Sequence, residues 1–356
     1  MTPSPFARAQ SFAARLGIQL PILLAPMAGA CPPSLSIAVA NAGGMGACGA
    51  LLMTPEAIRT WVQEFRQHSK GEFQLNLWIP GPVPTRDPHA EQRQREFLST
   101  WGPTVAAEHG ESVLPDFEAQ CRALLAARPR VISSIMGLYS PSFVEEVKAQ
   151  GVLWFATATT IDEARAAEAA GADAIIAQGI EAGGHRGAFD LEQAERNAVG
   201  LIALLPQIVD AVSIPVIATG GIADPRGVAA ALILGASAVM IGTGFLRCPE
   251  AQLPAAYADS IGRTEAHQTI LTRAFTGRAG RSIANRYAEI CASAAPLPAP
   301  YPVQRGLTRL MREEAARAGD PERMQMWAGQ AAKFAQAQPA AIVARQLWDE
   351  ASSLLL

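Results

Sequence analysis

The chain has 356 residues, 49% of them hydrophobic and 17% charged, a composition typical of a globular protein with a large core and not of a disordered one. Its 29 basic and 32 acidic residues give a net charge of −3, which lends no support to binding of nucleic acid or of an anionic membrane surface. The five cysteines form no C-x-x-C pair, which argues against a disulfide framework and against a zinc or iron–sulfur site.

The N-terminus lacks the continuous apolar stretch of a signal peptide. No run approaches the roughly 18–20 apolar residues of a membrane span. Together with the cysteine pattern, which suits a reducing compartment, this predicts a cytoplasmic protein.

Short apolar runs of strand length alternate with helical segments from Pro21 to about Leu246. Because these runs do not alternate between polar and apolar residues, they indicate strands covered on both faces, as in a parallel sheet with crossover helices. Eight such units favour a closed (β/α)8 TIM barrel over an open sheet. The predicted strands are 22–27, 45–50, 73–78, 131–137, 152–158, 174–179, 215–221 and 238–244.

Two segments exceed the usual length of a loop between strand and helix. One is the proline-rich stretch 79–90, and the other is everything after the eighth strand. This tail has its own helical patterns and an irregular proline-rich interior at 295–304. We therefore predict a barrel over residues 1–248 and a helical extension over 249–356, packed near the barrel mouth, with part of the extension free to return to the barrel.

Glycines follow the seventh and eighth strands. Gly220-Gly221 and Gly242-Thr243-Gly244 lie where barrels usually bind phosphate, since glycine lets the backbone approach the anion and the Thr243 hydroxyl adds a donor. Either motif alone is equally well explained as a tight turn. The two together, on consecutive strands, favour phosphate.

Polar residues also stand at strand ends and in one glycine-rich loop. His185 follows Gly183-Gly184, which would break a helix, so it belongs to a small, mobile loop where a neutral imidazole can act as a base near pH 7. An accidentally exposed loop histidine is the alternative. Gln178 either bonds the edge of a heterocycle or is a buried structural amide, and Asn76 either binds a ligand or ties two strands together.

Two weaker signals complete the set of candidates. Ala25-Pro26-Met27 ends the first strand with a residue that lacks an N–H and with a soft thioether, which suits a position under a flat ring. The arginine-rich stretch 272–286 is either a basic rim for the phosphate or a solvated face, and the solvated face is slightly favoured.

Together these motifs resemble the class I branch of the nitronate monooxygenase family, formerly called 2-nitropropane dioxygenases. The resemblance covers roughly Leu16 to Leu347 and is most specific in EAGGHRG. The matching segments are PILLAPMAG, ANAGGMGACGA, QLNLW, FATATT, QGIEAGGHRG, IPVIATGGIAD, IGTGFLRCPE, FTGRAGRSIANR and WAGQAAKFAQ.

The resemblance implies an FMN-dependent, NAD(P)H-independent oxidation of alkyl nitronates, extending to nitroalkanes, by O2 to a carbonyl compound and nitrite. His185 matches the catalytic base of the family. The isoalloxazine and ribityl chain would contact Ala25, Pro26, Met27, Asn76 and Gln178. The rest of the cofactor and its phosphate would be enclosed by Gly183, Gly184, Gly220, Gly221, Met240, Ile241, Gly242 and Thr243.

The fourth strand departs from the family pattern. Where the family carries a Ser-Phe-His-Phe-Gly-like motif, this chain has Ser133-Ser134-Ile135-Met136-Gly137. An aromatic and histidine wall beside the substrate is thus replaced by smaller or aliphatic groups. The fold and the FMN site survive the change, but the substrate, including whether nitronate is the physiological one, stays open.

Three alternatives remain. An FMN-dependent NAD(P)H enoyl-acyl-carrier-protein or quinone reductase on the same barrel would need a nicotinamide surface, and no dedicated G-x-G-x-x-G follows a strand. A phosphosugar isomerase or lyase usually needs a strand-end lysine, and Lys70, Lys148 and Lys333 are not at strand ends. A non-catalytic flavin-binding protein would have no use for His185. The sequence is compatible with a homodimer but does not fix the oligomeric state.

Overall fold

The computed structural model describes residues 3–356. Its strands are β1 (Ile22–Leu24), β2 (Gly46–Gly49), β3 (Phe73–Trp78), β4 (Val131–Ile135), β5 (Leu153–Ala158), β6 (Ala174–Gln178), β7 (Gly184–His185), β8 (Val216–Thr219), β9 (Ala238–Ile241), β10 (Thr269–Thr272) and β11 (Gly280–Ile283). Its α-helices are α1 (Pro5–Leu16), α2 (Pro33–Asn41), α3 (Pro55–His68), α4 (Pro88–Leu98), α5 (Phe117–Ala127), α6 (Pro141–Ala149), α7 (Ile161–Ala169), α8 (Leu201–Ala211), α9 (Pro225–Ile233), α10 (Ala255–Arg263), α11 (Arg286–Ser293), α12 (Val303–Leu307), α13 (Arg309–Ala318) and α14 (Ala340–Leu355).

Eight of the strands form one parallel sheet in the order β1-β9-β8-β6-β5-β4-β3-β2. Backbone hydrogen bonds from Met45 N–H to the Ile22 carbonyl and from Leu24 N–H to the Met45 carbonyl join its two edges. The predicted TIM barrel is therefore confirmed, and all eight predicted strands are present.

Several predicted strands are too long at their carboxyl ends. The seventh barrel strand, which was predicted over 215–221, corresponds to β8. It ends at Thr219 because Gly220 and Gly221 take φ values of 111° and 69°. These left-handed conformations leave the sheet and suit glycine alone. The residues lost from the strand thus form the start of a loop at the barrel mouth.

Capping residues set where the outer helices begin. Thr54, Ser140 and Asp224 each accept a hydrogen bond from a backbone N–H in the first turn of α3, α6 and α9, and a proline follows each of them. This pairing of a polar cap with proline at the first helical position fixes the entry of the chain into the helix.

The last helix returns to the barrel. Helix α14 packs against α9 and α2. It therefore occupies the place of the outer helix that should follow β9, the eighth strand of the barrel. Residues 249–339 therefore lie between that strand and its helix, and the division at residue 248 stays a prediction. No helix in the described range is both long and apolar enough to cross a membrane.

A small antiparallel sheet, β10-β11-β7, lies outside the barrel and was not predicted. In it His185 pairs with Gly280, and Gly184 pairs with Arg281. The expectation that His185 lies in a loop was therefore wrong, because strand β11 of the C-terminal extension pairs with this segment. A two-residue strand beside glycines carries no periodicity that a sequence pattern could reveal.

Candidate active site

A cavity of about 490 Å³ opens at the carboxyl ends of the barrel strands, and the C-terminal extension covers part of it. Of the predicted site residues, only Ile241 is absent from its wall; that side chain lies in the hydrophobic core. The other predicted residues all border the cavity: Ala25, Pro26, Met27, Asn76, Gln178, Gly183, Gly184, His185, Gly220, Gly221, Met240, Gly242 and Thr243.

Asn76 ties two strands together and still presents an acceptor to the cavity. Its Nδ2 donates to Ser133 Oγ at 3.1 Å, and the Ser133 hydroxyl donates to Gln74 Oε1 at 3.0 Å. Gln74 in turn donates to the Leu24 carbonyl. Among the described residues, no donor reaches Asn76 Oδ1, so this oxygen is left to accept a hydrogen bond from a ligand.

Gln178 presents a hydrogen-bond donor to the cavity, whereas Asn76 presents an acceptor. Its Oε1 accepts hydrogen bonds from Arg186 Nη1 at 3.2 Å and from the Gly187 N–H at 2.8 Å. Since both partners can only donate, the amide orientation is fixed, and Nε2 faces the His185 carbonyl at 3.1 Å. One Nε2 proton bonds that carbonyl, and the second is available to a ligand in the cavity.

The glycine-rich turns form a cradle with unused donors. In the described part of the chain, the backbone N–H groups of Gly220 and Gly221 make no hydrogen bond to protein. Thr243 Oγ1 accepts from the Gly329 N–H at 3.0 Å, which leaves its own proton to donate. A Cβ on Gly183 would lie 2.5 Å from the Gly329 nitrogen, so only glycine lets the two loops meet here.

His185 packs against two tryptophans. Its ring centroid lies 4.7 Å from that of Trp78 and 4.8 Å from that of Trp327. Its Nε2 lies 2.9 Å from Thr276 Oγ1. Burial, together with the positive charges of Arg278 and Arg305, lowers the pKa of His185 to about 3. The imidazole is therefore neutral at pH 7, with a lone pair able to accept a proton or a hydrogen bond.

Positive charge at the site comes from the extension. Arg305 and Arg312 border the cavity, and Arg278 lies buried, 5.6 Å above the centre of the Trp78 ring. Within residues 3–356 none of the three forms an ion pair with a carboxylate. A cavity with unpaired guanidinium groups favours an anionic ligand.

Two features around this cavity were not predicted from the sequence. The solvated face favoured for 272–286 was wrong for Arg278 and Arg281, which are 5% and 8% exposed. From the divergent fourth-strand motif Ile135 reaches the cavity, whereas Met136 is buried. The aromatic surface beside His185 comes instead from Trp78 and Trp327, and only their proximity in the fold reveals it.

Comparison with known proteins identifies a family. The family model for nitronate monooxygenase matches residues 10–350. A probable nitronate monooxygenase of Staphylococcus aureus (strain Newman) is 35% identical over 347 residues, which is 96% of each chain.

Two solved structures are also similar. A nitroalkane oxidase from Streptomyces ansochromogenes has a TM-score of 0.87 and 35% identity, over 96% of this chain and 98% of that one. FabK from Thermotoga maritima has a TM-score of 0.75 and 27% identity, over 100% of this chain and 98% of that one.

Proposed function

The chain belongs to the nitronate monooxygenase family and is an oxidoreductase, and on that premise we propose that it uses FMN to oxidise alkyl nitronates with O2, giving a carbonyl compound and nitrite. One observation carries the proposal. A single cavity joins a glycine cradle with free N–H groups, a pair of amides of opposite polarity, and a neutral histidine among unpaired arginines.

The residues present fit FMN. The free N–H groups of Gly220 and Gly221 and the Thr243 hydroxyl suit a phosphate. Asn76 Oδ1 as acceptor and Gln178 Nε2 as donor suit a flat heterocycle whose edge carries both an N–H and carbonyl oxygens. When bound, FMN would accept electrons from the nitronate and pass them to O2.

The chain's own groups would prepare the substrate. His185 is neutral and takes the α-proton of a nitroalkane on a ring nitrogen, while the negative charge that develops on the nitro group is stabilised by nearby guanidinium groups. The positive charges of Arg278 and Arg305 also lower the pKa of His185. A bound anionic ligand would offset these charges and make protonation of His185 easier. The rings of Trp78 and Trp327 pack against the imidazole in edge-on and tilted contacts.

We expect the purified protein to be yellow and to release FMN, not FAD, on heating. The reason is that the sequence carries one glycine-rich cradle suited to a phosphate and no second fingerprint for an adenylate half. Mass spectrometry of the heat-released cofactor checks this, with intact protein mass as the control for covalent attachment. FAD, or the absence of any flavin, would contradict the proposal.

The similarity to FabK, with a TM-score of 0.75, supports a second candidate, an FMN-dependent NAD(P)H enoyl-acyl-carrier-protein or quinone reductase. We expect NADH not to reduce the bound flavin at a catalytically useful rate, because no nucleotide fingerprint follows a strand. Anaerobic stopped-flow mixing with NADH, and separately with a nitronate, measures both rates. Rapid bleaching by NADH would place the reductase first.

A further inference from the structure

We propose that Thr276 is a positioning residue that fixes the neutral imidazole of His185 in the tautomer protonated at Nε2, so that Nδ1 presents its lone pair to the substrate. This rests on the proposed role of His185 as base. Thr276 lies in the turn between β10 and β11, which is part of the C-terminal extension, and it is 2% exposed.

The hydrogen bonds around Thr276 Oγ1 decide which nitrogen carries the proton. This oxygen lies 2.9 Å from His185 Nε2 and 3.3 Å from the carbonyl oxygen of Arg278. The carbonyl can only accept, and among residues 3–356 the Thr276 hydroxyl is its only donor. A buried carbonyl normally has a partner, so the hydroxyl proton belongs to Arg278. Nε2 must then donate its own proton to Thr276 Oγ1.

Nδ1 is the nitrogen left for the substrate. Across the described chain no protein atom forms a hydrogen bond with it, and His185 borders the cavity. The rings of Trp78 and Trp327 lie against the imidazole and restrict its rotation. The partner of one ring nitrogen determines the state of the other, which is the usual way in which proteins select a histidine tautomer.

The turn that carries Thr276 is itself held rigidly. Tyr287 Oη and Gln304 Nε2 both donate to the Ala274 carbonyl, and Thr308 Oγ1 donates to the Phe275 carbonyl. The hydroxyl of Thr276 is therefore placed before any substrate arrives. Such a fixed partner costs no reorganisation when the proton moves.

The test is NMR of the FMN-loaded protein labelled with ¹⁵N-histidine, because the nitrogen shifts separate a protonated ring nitrogen from an unprotonated one. The chain has five histidines, and His185→Asn identifies the signals of His185. In the wild-type protein and in Thr276→Ser we expect a protonated Nε2 and a bare Nδ1. In Thr276→Val, which keeps the shape but loses the hydroxyl, we expect a mixture of tautomers.

Kinetics supply the second readout. Loss of one hydrogen bond of this kind should lower kcat on a neutral nitroalkane by roughly 3- to 10-fold in Thr276→Val, with recovery in Thr276→Ser and little change on preformed nitronate. Thr272→Val is the matched control, since its hydroxyl bonds the Ala274 N–H in the same segment and not His185.

A protonated Nδ1 in the wild-type protein, or an unchanged tautomer in Thr276→Val, would overturn the proposal. The tautomer is measured without turnover, so the NMR result is unaffected if His185 proves not to be the base. Equal kinetic losses in Thr276→Val and Thr272→Val would instead show that the hydroxyl serves only the structure of the turn.

Discussion

His185→Asn should keep its FMN and much of its activity on a preformed nitronate, while its turnover of the corresponding neutral nitroalkane falls by about 10²–10⁴-fold. A nitroalkane must lose its α-proton before electrons leave it, whereas a nitronate has already lost that proton. Asparagine keeps a similar volume and hydrogen-bonding capacity but cannot accept a proton in this range. The expected loss corresponds to roughly 2.7–5.4 kcal/mol of activation free energy.

Steady-state kcat/KM on the two substrates, measured on variants of equal FMN content, separates two roles of this histidine. The ring of His185 is neutral because its pKa is lowered to about 3, so it offers a lone pair and no positive charge at pH 7. Equal losses on both substrates would mean that His185 binds the nitro group or supports the flavin. No loss on either would leave it without a catalytic role.

The barrel was predictable because its signals are local. Eight apolar runs mark the strands, and Gly220-Gly221 mark the loop after the seventh. The polar candidates could also be identified from the sequence, since Asn76 lies within an apolar strand and Gln178 ends one. The succession of apolar strands and helices thus placed most of the cavity wall at one end of the sheet.

The extension's contribution was not predictable in the same way. Thr276 reaches His185 because it lies in the turn between β10 and β11, and β11 also pairs with β7. Trp327 is brought there by its bridge to Ser282 of β11. Nothing in the sequence spacing links residues 185 and 276. The burial of Arg278 was equally hidden, because an arginine in a charged stretch normally points to solvent, and only the rings of Trp78 and Tyr301 explain its position.

The cofactor site should respond to a side chain added at Gly242, in the turn proposed to hold the phosphate. A Cβ on Gly242 would lie 3.2 Å from Met27 Sδ and 3.4 Å from Ala25 Cβ, two residues proposed to lie under the flavin. Gly242 has a φ of −105° and so does not take the left-handed conformation that favours glycine, and Gly242→Val adds volume without requiring such a conformation. Because the nearest atom belongs to a flexible methionine side chain that can move aside, FMN binding should fall more than the thermal stability of the apo protein.

We expect Gly242→Val to weaken FMN binding by about 5- to 150-fold, from the roughly 1–3 kcal/mol that overpacking usually costs.

Asn76→Ala removes one proposed hydrogen bond to the flavin and should weaken binding by about 2- to 13-fold. Its partner Ser133 still donates to Gln74, so the strands stay joined. Fluorescence titration of the apo proteins with FMN, beside thermal melts, measures both effects. Gly81→Val is the control, because a Cβ there meets only Leu191, at 3.8 Å. Full FMN occupancy in both Gly242→Val and Asn76→Ala would show that the flavin lies elsewhere.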